Sequence, residues 1–511
     1  MLSLYEWQAE CLNLWARNGY RGIVNAVTGS GKTLLALTAV HHLEIAAEKP
    51  LRVKIVVPQT FLAAQWKDEI KRCLIAKACD IGLYSGKRKD SGRKYMIYVV
   101  NSARYNLARH ILSDISRGFA VLLIADECHH YGSSENSRIF DFYKVLNKNA
   151  PYYALGLSAT PEIVNYRAIT APIGPEIYSY DLTRALRERV ISRFILFSVR
   201  LSFTRDENEQ YTHMSDGLSK CLVKLKKMYP ELEGMPSNLF FSRLQSLAAS
   251  ISGDAAQIAG TALALMHNRR ALCHMALERP ACAMSIVKML PANTRIILFC
   301  ERIQAAEILY RKLLETFPDQ AGLYHSKMTE YARQDILDRF NHGTIRLLVC
   351  CKALDEGLNI PSTDAGIIVS GSMSIRQRVQ RLGRMLRRSM EIKRIYYLFI
   401  GESNEDRELV FGLRTMEYAV PMITLRYRNG AFFHSEYVKL RNTALNYVSS
   451  KRNEPGLLYV LSENIDMALV RGDFLFQEQV CRENIRLSHN IAERNYWTSV
   501  LYVILARSGK L

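Results

Sequence analysis

One short string limits what this chain can fold into more than any other part of the sequence. The string AVTGSGKT, residues 26–33, follows an apolar run and is followed at once by the helical pattern LLALTAVHHL. Glycines let backbone N–H groups approach a ligand, and the N-terminus of a helix favours negative charge. A strand that delivers such a loop to a helix is the context of a phosphate-binding loop. The string therefore predicts an α/β fold with a nucleotide site, against the alternative of a glycine-rich turn that binds nothing.

The residues of this loop have separate expected roles. Gly29 and Gly31 bring backbone N–H groups close to the phosphates. Lys32 supplies positive charge at the β- and γ-phosphates, and the Thr33 hydroxyl is expected to bind Mg²⁺. Ala26 replaces the usual first glycine, a change that some motor proteins tolerate. The residues expected to contact ATP are Thr28, Gly29, Ser30, Gly31, Lys32 and Thr33.

A second apolar run, AVLLIA, ends in two adjacent carboxylates, Asp126 and Glu127. Two acids after a hydrophobic run can be a plain strand end. Downstream of a phosphate-binding loop, however, the pair fits a catalytic role, with Asp126 holding Mg²⁺ and Glu127 polarising the attacking water. The sequence therefore predicts ATP and Mg²⁺ as cofactors.

Short apolar runs that alternate with helical patterns divide the chain into blocks. One series covers residues 1–205, and a second, with runs such as RIILFC and AGIIVS, covers residues 291–402. Each series predicts a parallel sheet covered by helices. Residues 206–290 are expected to form a helical insertion or linker, and residues 403–511 an accessory α+β region with a hairpin at Asn429-Gly430.

The composition favours a polyanionic partner. Lys and Arg total 68 against 49 acids, a net charge of +19. Such a balance promotes nucleic-acid binding through counterion release, although it can also serve solubility alone. The 11 cysteines include no CxxC pair, which argues for buried thiols rather than zinc. No apolar stretch is long enough for a membrane span and no secretory signal is evident, so we expect a cytoplasmic, nucleoid-associated protein without a membrane partner.

The motifs, taken in order, resemble those of superfamily 2 helicases of the DEAD/DEAH-box (DExH) type. The strings that carry the resemblance are LYEWQAE, VVPQTFLAAQW, VVNSARY, LSATP, LYHSKM, CKALDEGLNIP and QRLGRMLRR. They are most similar to the group that holds XPB, UvsW, RadD and the motor subunits of restriction enzymes. The resemblance covers about residues 4–205 and 291–402, and it implies two RecA-like domains, the first of which binds ATP.

The resemblance assigns further residues to the ATP site. Gln8 is expected to read adenine, while Glu356, Gly357 and Asn359 would contact the nucleotide from the second domain. Many relatives have Asp at the position of Asn359, where the side chain can contact the ribose of the nucleotide. Asn359 can still hydrogen-bond there, but it departs from the family pattern. Arg384 and Arg387 lie three residues apart, and therefore on one helix face, and would act as arginine fingers, worth roughly 10³–10⁵-fold in rate.

Other matching residues are expected to couple ATP hydrolysis to movement on nucleic acid. Gln380 would contact His129, and the hydroxyls of Ser158 and Thr160 would link the ATP site to the strand. Trp66 is expected in the hydrophobic core. Tyr5 and Trp7 are expected to pack either on the adenine base of the nucleotide or in the core. The expected contacts with the nucleic-acid backbone are Gln59, Thr60, Asn101, Ser102, His325 and Ser326.

The sequence thus predicts an ATP-dependent DNA helicase or duplex translocase, in DNA repair and recombination or in anti-phage defence. Two alternatives stay open: an RNA helicase, and an ATP-gated sensor or clamp that signals to a partner. A partner protein, for example a nuclease, could dock on residues 403–511, since no nuclease carboxylate cluster is evident in the chain.

Overall fold

The structure, a computed structural model, describes residues 4–86, 88–159, 166–250, 253–351, 363–371, 392–406, 420–434, 437–451 and 455–511. The chain divides into two compact units, with the division between Arg193 and Phe194. Each unit is built around a sheet of its own.

The first unit contains a sheet whose neighbouring strands all run parallel. Its strands are β1 (Arg21–Ala26), β2 (Leu51–Val57), β3 (Ile81–Tyr84), β4 (Tyr95–Val99), β5 (Ala120–Ala125), β6 (Tyr152–Ser158) and β7 (Glu176–Tyr180). In space they follow the order β3-β4-β2-β5-β6-β1-β7. The helices are α1 (Glu6–Arg17), α2 (Lys32–Ala46), α3 (Thr60–Leu74), α4 (Val100–Ala103), α5 (Leu107–Ser116), α6 (Tyr166–Ile173) and α7 (Leu182–Arg187).

The apolar runs form these strands because both faces of the sheet are covered. Every residue of β5 is buried, and its side chains alternate between two hydrophobic clusters. One cluster includes side chains from α1, α2, α3 and α7, and the other includes side chains from α5 and α6. A parallel sheet needs such cover on both faces, which explains why its strands read as continuous hydrophobic runs.

The second unit is built on a mixed sheet. Its strands are β8 (Phe194–Leu201), β9 (Ile296–Cys300), β10 (Ala321–Tyr324), β11 (Leu347–Cys351), β12 (Ala365–Ile368), β13 (Lys393–Ile400), β14 (Met422–Arg428) and β15 (Ala431–Phe433). Their spatial order is β10-β11-β9-β12-β13-β8-β14-β15. Helices α12 (Ile303–Thr316) and α13 (Glu330–Asn341) follow β9 and β10 along the chain.

Strand β8 departs from the boundary predicted at residue 205. It lies in the second sheet, where it pairs in parallel with β14 from Leu196↔Met422 onward. The run FILFSVRL forms this strand, but nothing in the run itself indicates which sheet the strand joins. The assignment of a separate role to each of the four predicted blocks stays a prediction.

The stretch predicted to be helical does form helices: α8 (Arg205–Met228), α9 (Ser237–Ala248), α10 (Asp254–Met275) and α11 (Glu278–Met289). Thr204 and Glu207 form a capping box that starts α8, because each side chain accepts the backbone N–H of the other residue. Leucines of α8 and α9 and alanines of α10 share a hydrophobic cluster that holds these helices together.

The C-terminal region joins the second unit in two ways. The hairpin β14–β15 turns at Asn429 and Gly430, whose φ angles are +52° and +84°, and it extends the sheet beside β8. Helices α14 (Val438–Lys451), α15 (Pro455–Arg471), α16 (Glu478–Leu487) and α17 (Ile491–Arg507) follow. Arg394 of β13 donates to the carbonyl of Arg471 at 3.0 Å and to Asp473. No helix within the described ranges is long and apolar enough to cross a membrane.

Candidate nucleotide-binding and motor site

The predicted site residues of the first unit lie along one edge of its sheet. The strands β4-β2-β5-β6-β1 are consecutive neighbours, and all run parallel. Their carboxyl ends therefore meet at a single edge, as in other open α/β sheets with ligand sites. Asn101 follows β4, Gln59 follows β2, Asp126 follows β5, Ser158 ends β6, and the phosphate-binding loop follows β1.

The glycine-rich loop has the backbone that a phosphate site requires. Gly29 and Gly31 adopt φ angles of +82° and +94°, a region that favours glycine. Gly31 is the N-cap of α2, and no side chain caps this helix end. Its first N–H groups are therefore left to a ligand, as expected for an anion site.

Two side chains of the loop hydrogen-bond to its own backbone. The Lys32 ammonium donates to the carbonyl of Ala26 at 2.8 Å, and the Ser30 hydroxyl donates to the carbonyl of Val27 at 2.7 Å. Thr28 is buried, and among the described residues its hydroxyl has no hydrogen-bond partner. Such a buried hydroxyl fits a loop that receives a polar ligand.

Gln8 is held against the loop from α1. Its carboxamide oxygen accepts the backbone N–H of Tyr5 at 2.9 Å, and its nitrogen donates to the carbonyl of Gly31 at 3.0 Å. Trp7, which the sequence left open, is fully buried and stacks on Tyr180 with ring centroids 4.6 Å apart. Trp7 therefore belongs to the core, while Gln8 reaches the nucleotide loop; adenine recognition by Gln8 stays a prediction.

The Asp126–Glu127 pair is fixed by its surroundings. One Asp126 carboxylate oxygen, Oδ2, accepts the indole N–H of Trp66 at 2.8 Å, and Oδ1 accepts the backbone N–H of Glu127 at 3.1 Å. Glu127 has a φ of +49°, a conformation that a non-glycine residue adopts at some cost in energy. The Tyr131 hydroxyl donates to the carbonyl of Asp126 at 2.8 Å, and the carbonyl of Val56 on β2 lies 3.1 Å from the same hydroxyl.

His129 joins the carboxylate pair to β6. Its Nδ1 lies 3.1 Å from the Ser158 hydroxyl and 3.6 Å from a Glu127 carboxylate oxygen. The neighbouring Cys128 is buried, and burial raises the pKa of its thiol, so it packs as a neutral side chain. The structure thus brings together His129 and Ser158, two of the residues predicted to couple the ATP site to the strand.

The predicted nucleic-acid contacts of the first unit come from neighbouring strands. Val57 and Val99, the last residues of β2 and β4, are paired across the sheet, so the segments that follow them start side by side. Thr60 and Asn101 are exposed, and Gln59 and Ser102 are partly exposed. These side chains are accessible to a ligand; their contact with nucleic acid stays a prediction.

In the second unit, the two predicted contacts differ in exposure. Ser326 is exposed, whereas His325 is buried, with its Nε2 atom 3.9 Å from a carboxylate oxygen of Glu307. Ser326 is therefore the better placed to meet a phosphate. The remaining predicted site residues lie outside the described part of the chain: Thr160, Glu356, Gly357, Asn359, Gln380, Arg384 and Arg387.

Sequence reasoning missed two residues that contact Asp126. It treated Trp66 only as a core residue and did not consider Tyr131. Trp66 lies 60 positions from Asp126, and no local spacing relates the two. The only signal in the sequence was position. Trp66 lies within the motif VVPQTFLAAQW, Tyr131 lies a few residues after Asp126 and Glu127, and each side chain ends in a polar group.

The donor set suits a hard cation and a triphosphate. Asp126 offers carboxylate oxygen and Thr33 a hydroxyl, which are ligand types that Mg²⁺ prefers. The cation, when bound, would neutralise charge on the phosphates. Lys32 would add a further positive charge there, and the role of Glu127, just after the end of β5, in polarising the attacking water stays a prediction.

Comparisons with known proteins agree with this geometry. Residues 1–163 match the family described as "Type III restriction enzyme, res subunit", and residues 280–389 match "Helicase conserved C-terminal domain". The "DNA 3'-5' translocase XPB2" of Sulfurisphaera tokodaii is 31% identical over 392 residues, which cover 76% of this chain and 79% of that protein. The "DNA 3'-5' helicase XPB" of Kineococcus radiotolerans is 26% identical over 404 residues, which cover 75% of this chain but 57% of that protein.

The fold is similar to that of solved helicases. The Pyrococcus furiosus Hef helicase domain superposes with a TM-score of 0.50 at 16% identity, covering 79% of this chain and 97% of that one. Two RecA-like sheets, predicted from the sequence, are thereby confirmed. The motifs, the sheets and the relatives agree, and the chain belongs to the superfamily 2 helicases, a family of ATP hydrolases that includes the XPB-type proteins.

Proposed function

We propose that this chain is an ATP-dependent DNA translocase or helicase of the XPB type. One observation carries the proposal. Along a single sheet edge, five neighbouring strands present two predicted strand-contact segments, the carboxylate pair, the Ser158 hydroxyl and the phosphate-binding loop in that order. Residues that hydrolyse ATP and residues that would hold a strand therefore share one rigid element.

In the proposed mechanism, the nucleotide is gripped by backbone as well as side chains. The uncapped start of α2 and the Lys32 ammonium bind the phosphates, and Glu127 orients the attacking water. His129 lies between Glu127 and Ser158, so a change at the carboxylate can reach β6 through two short contacts. ATP can drive movement only if the chain binds it with different affinity in its two conformations.

DNA is the substrate that the observations favour. The net charge of +19 suits a polyanion, and the XPB-type relatives are named as DNA 3′-5′ translocases or helicases. On this basis we propose movement in the 3′-to-5′ direction. The similarity to a restriction-enzyme subunit family and to XPB-type proteins supports a role in DNA repair, recombination or anti-phage defence.

ATPase stimulation tests the substrate class. Purified protein is incubated with duplex DNA, forked DNA, single-stranded DNA and RNA, and phosphate release is measured. We expect DNA to stimulate hydrolysis more than RNA does, and affinity to fall with salt with a slope of about −0.9 per phosphate contacted on duplex DNA. Stimulation by RNA alone would refute the DNA assignment and favour an RNA helicase.

A displacement assay distinguishes a motor from a sensor. A translocase removes the third strand of a triplex, and a helicase also separates a forked duplex. The Lys32→Ala variant, which lacks the phosphate-binding ammonium, is the matched control and should do neither. DNA-stimulated hydrolysis without displacement of either kind would refute the motor and favour an ATP-gated clamp that signals to a partner.

The C-terminal helices are the proposed docking region for a partner protein such as a nuclease. Exposed apolar side chains on α15, α16 and α17, namely Tyr459, Leu487 and Ile491, support this proposal. We expect the purified chain to hydrolyse ATP on DNA without cutting it. DNA cleavage by the purified chain would contradict the assignment of cutting to a separate protein.

A further inference from the structure

The indole of Trp66 contacts the catalytic carboxylate directly. Trp66 lies on α3 and is 1% exposed, and its N–H donates to Asp126 Oδ2 at 2.8 Å. Asp126 itself is 8% exposed, so the hydrogen bond is shielded from water. Such bonds to an ionised group are among the stronger hydrogen bonds in proteins.

This contact fixes the orientation of the carboxylate. Oδ1 accepts the backbone N–H of Glu127 at 3.1 Å, and Oδ2 accepts the indole. With both oxygens held, the plane of the carboxylate cannot rotate freely. The indole therefore helps to set the orientation of the Asp126 carboxylate.

The same helix begins at a predicted strand contact. Gln59 is the N-cap of α3 and Thr60 is its first residue, and neither the cap nor the first turn carries a side-chain cap bond. Trp66 follows Thr60 by six positions, about 9 Å along the helix axis at 1.5 Å per residue. A rigid-body shift of α3, produced by a phosphate bound at its start, would therefore also move the indole.

A second set of hydrogen bonds reaches the same segment from β4. Arg104 lies just after the predicted contacts Asn101 and Ser102, and its Nε donates to the side-chain oxygen of Asn136 at 2.9 Å. The Asn136 side chain in turn donates to the carbonyl of His130 at 2.7 Å. The segment that contains Asp126 is thus held from both strands whose loops are expected to meet nucleic acid.

We propose that Trp66 is a positioning residue that couples nucleic-acid contact at the start of α3 to the orientation of the Asp126 carboxylate. The Arg104–Asn136 pair is the second link to the same segment. This inference rests on the proposed function, because it assumes that α3 meets a strand. It assigns a role in coupling to a residue whose position in the sequence indicates only a buried aromatic.

The Trp66→Phe variant tests the proposal, since it removes the N–H and keeps the aromatic ring. Trp15→Phe is the matched control: the Trp15 indole is also buried and donates at 3.0 Å, but to the carbonyl of Ala154. Binding of a fluorescent ATP analogue is measured with and without Mg²⁺. In Trp66→Phe we expect the gain in affinity from Mg²⁺ to fall about 10- to 100-fold, with Mg²⁺-free binding unchanged. Trp15→Phe should keep the full gain.

Coupling is read from the ratio of DNA-stimulated to basal hydrolysis. This ratio should fall in Trp66→Phe and in Asn136→Ala, and the two changes should not be additive if they act on one segment. If the wild-type protein shows no nucleic-acid stimulation at all, the proposed function fails. If the wild type is stimulated and Trp66→Phe keeps both its Mg²⁺ dependence and its stimulation, only the inference is overturned.

A ¹⁹F measurement on the protein with Trp66 in place tests the proposal even if the Trp66→Phe variant fails to fold. The chain has 4 tryptophans, so in 5-fluorotryptophan-labelled protein the signal of Trp66 is identified by elimination with Phe variants of Trp7, Trp15 and Trp497. The ¹⁹F signal of Trp66 should shift when Mg²⁺ and nucleotide bind, and shift again when DNA is added. A signal that is unchanged by DNA would overturn the proposal.

Discussion

Replacing Arg279 by methionine should destabilise the second unit by about 3–5 kcal/mol, the usual cost of breaking a buried ion pair from one side. The Arg279 side chain is 1% exposed and pairs at 2.5 Å with Glu405, whose side chain is 5% exposed. Its guanidinium also donates to the carbonyls of Cys273 at 2.6 Å, of Leu398 at 3.1 Å and of Val369. The methionine variant would remove the guanidinium from these three carbonyls and would leave the buried Glu405 carboxylate without its positively charged partner.

The location of this pair makes the effect specific to one part of the sheet. Val369 follows β12 and Leu398 lies in β13, so Arg279 joins α11 to two neighbouring strands. Glu405 keeps one backbone donor, the N–H of Ile400 at 2.9 Å, which limits the loss but cannot replace a positive charge. We therefore expect the damage to be concentrated at the ends of β12 and β13.

Hydrogen exchange read by mass spectrometry is the suitable assay, because a chain with two units need not unfold in one step. Peptides from β12 and β13 should exchange roughly 10²–10⁴-fold faster in Arg279→Met, the equivalent of about 3–5 kcal/mol. Peptides from β1 and β5 should be unchanged.

The exposed pair Arg243–Glu231, 3.2 Å apart, provides the control. Arg243→Met should change stability by at most about 1 kcal/mol, since surface pairs contribute little. The double variant Arg279→Met/Glu405→Gln should recover part of the loss, because it removes the uncompensated charge. An Arg279→Met effect no larger than that of Arg243→Met would refute the reasoning.

Three further predictions concern the first unit and the arginine fingers. Gly31→Ala should weaken ATP binding by tenfold or more in an equilibrium binding assay, because φ is +94° and the new Cβ would stand 2.8 Å from the Gln8 nitrogen; wild-type affinity would contradict this. Burial lowers the pKa of His110 below its ordinary value of 6.5, so the unfolded state binds the extra proton; the contribution of His110 is complete above pH 6.5 and declines as the pH falls below it. His110→Gln should flatten that part of a stability–pH curve, and an unchanged curve would count against it. Arg384→Ala should bind ATP normally but lose turnover, and retained turnover would remove Arg384 from the catalytic set.

The parts of the site that the sequence predicts are those with a local signature. The phosphate-binding loop needs glycine at positive φ, and Gly29 and Gly31 reveal that need directly. Asp126 and Glu127 directly follow β5, an apolar run that is buried on both faces of the sheet. The change from apolar residues to two acids marks the end of the strand. These features depend on a few neighbouring residues, so a single sequence contains the information.

The parts that it does not predict depend on contacts between distant segments. Trp66 and Asp126 meet because α3 covers the sheet face to which alternate residues of β5 contribute, and no periodicity relates positions 60 apart. Likewise, β8 joins the second sheet between β13 and β14, two strands that lie about two hundred residues later in the chain. The burial of His325 follows from packing around β10, which its own motif does not encode.

The placement of β8 has a consequence for synthesis on the ribosome. This strand, FILFSVRL, emerges before the helices α8–α11, whereas its neighbours β13 and β14 end at Ile400 and Arg428. Until those residues are made, an eight-residue apolar strand has both edges unpaired, which is the pattern that invites association with other chains. A chain cut at residue 402, after the last helicase motif, would keep this exposed edge permanently because it lacks β14. We therefore expect a chain that ends before the C-terminal hairpin to be less soluble than the full chain, because the edge of β8 that pairs with β14 would stay uncovered.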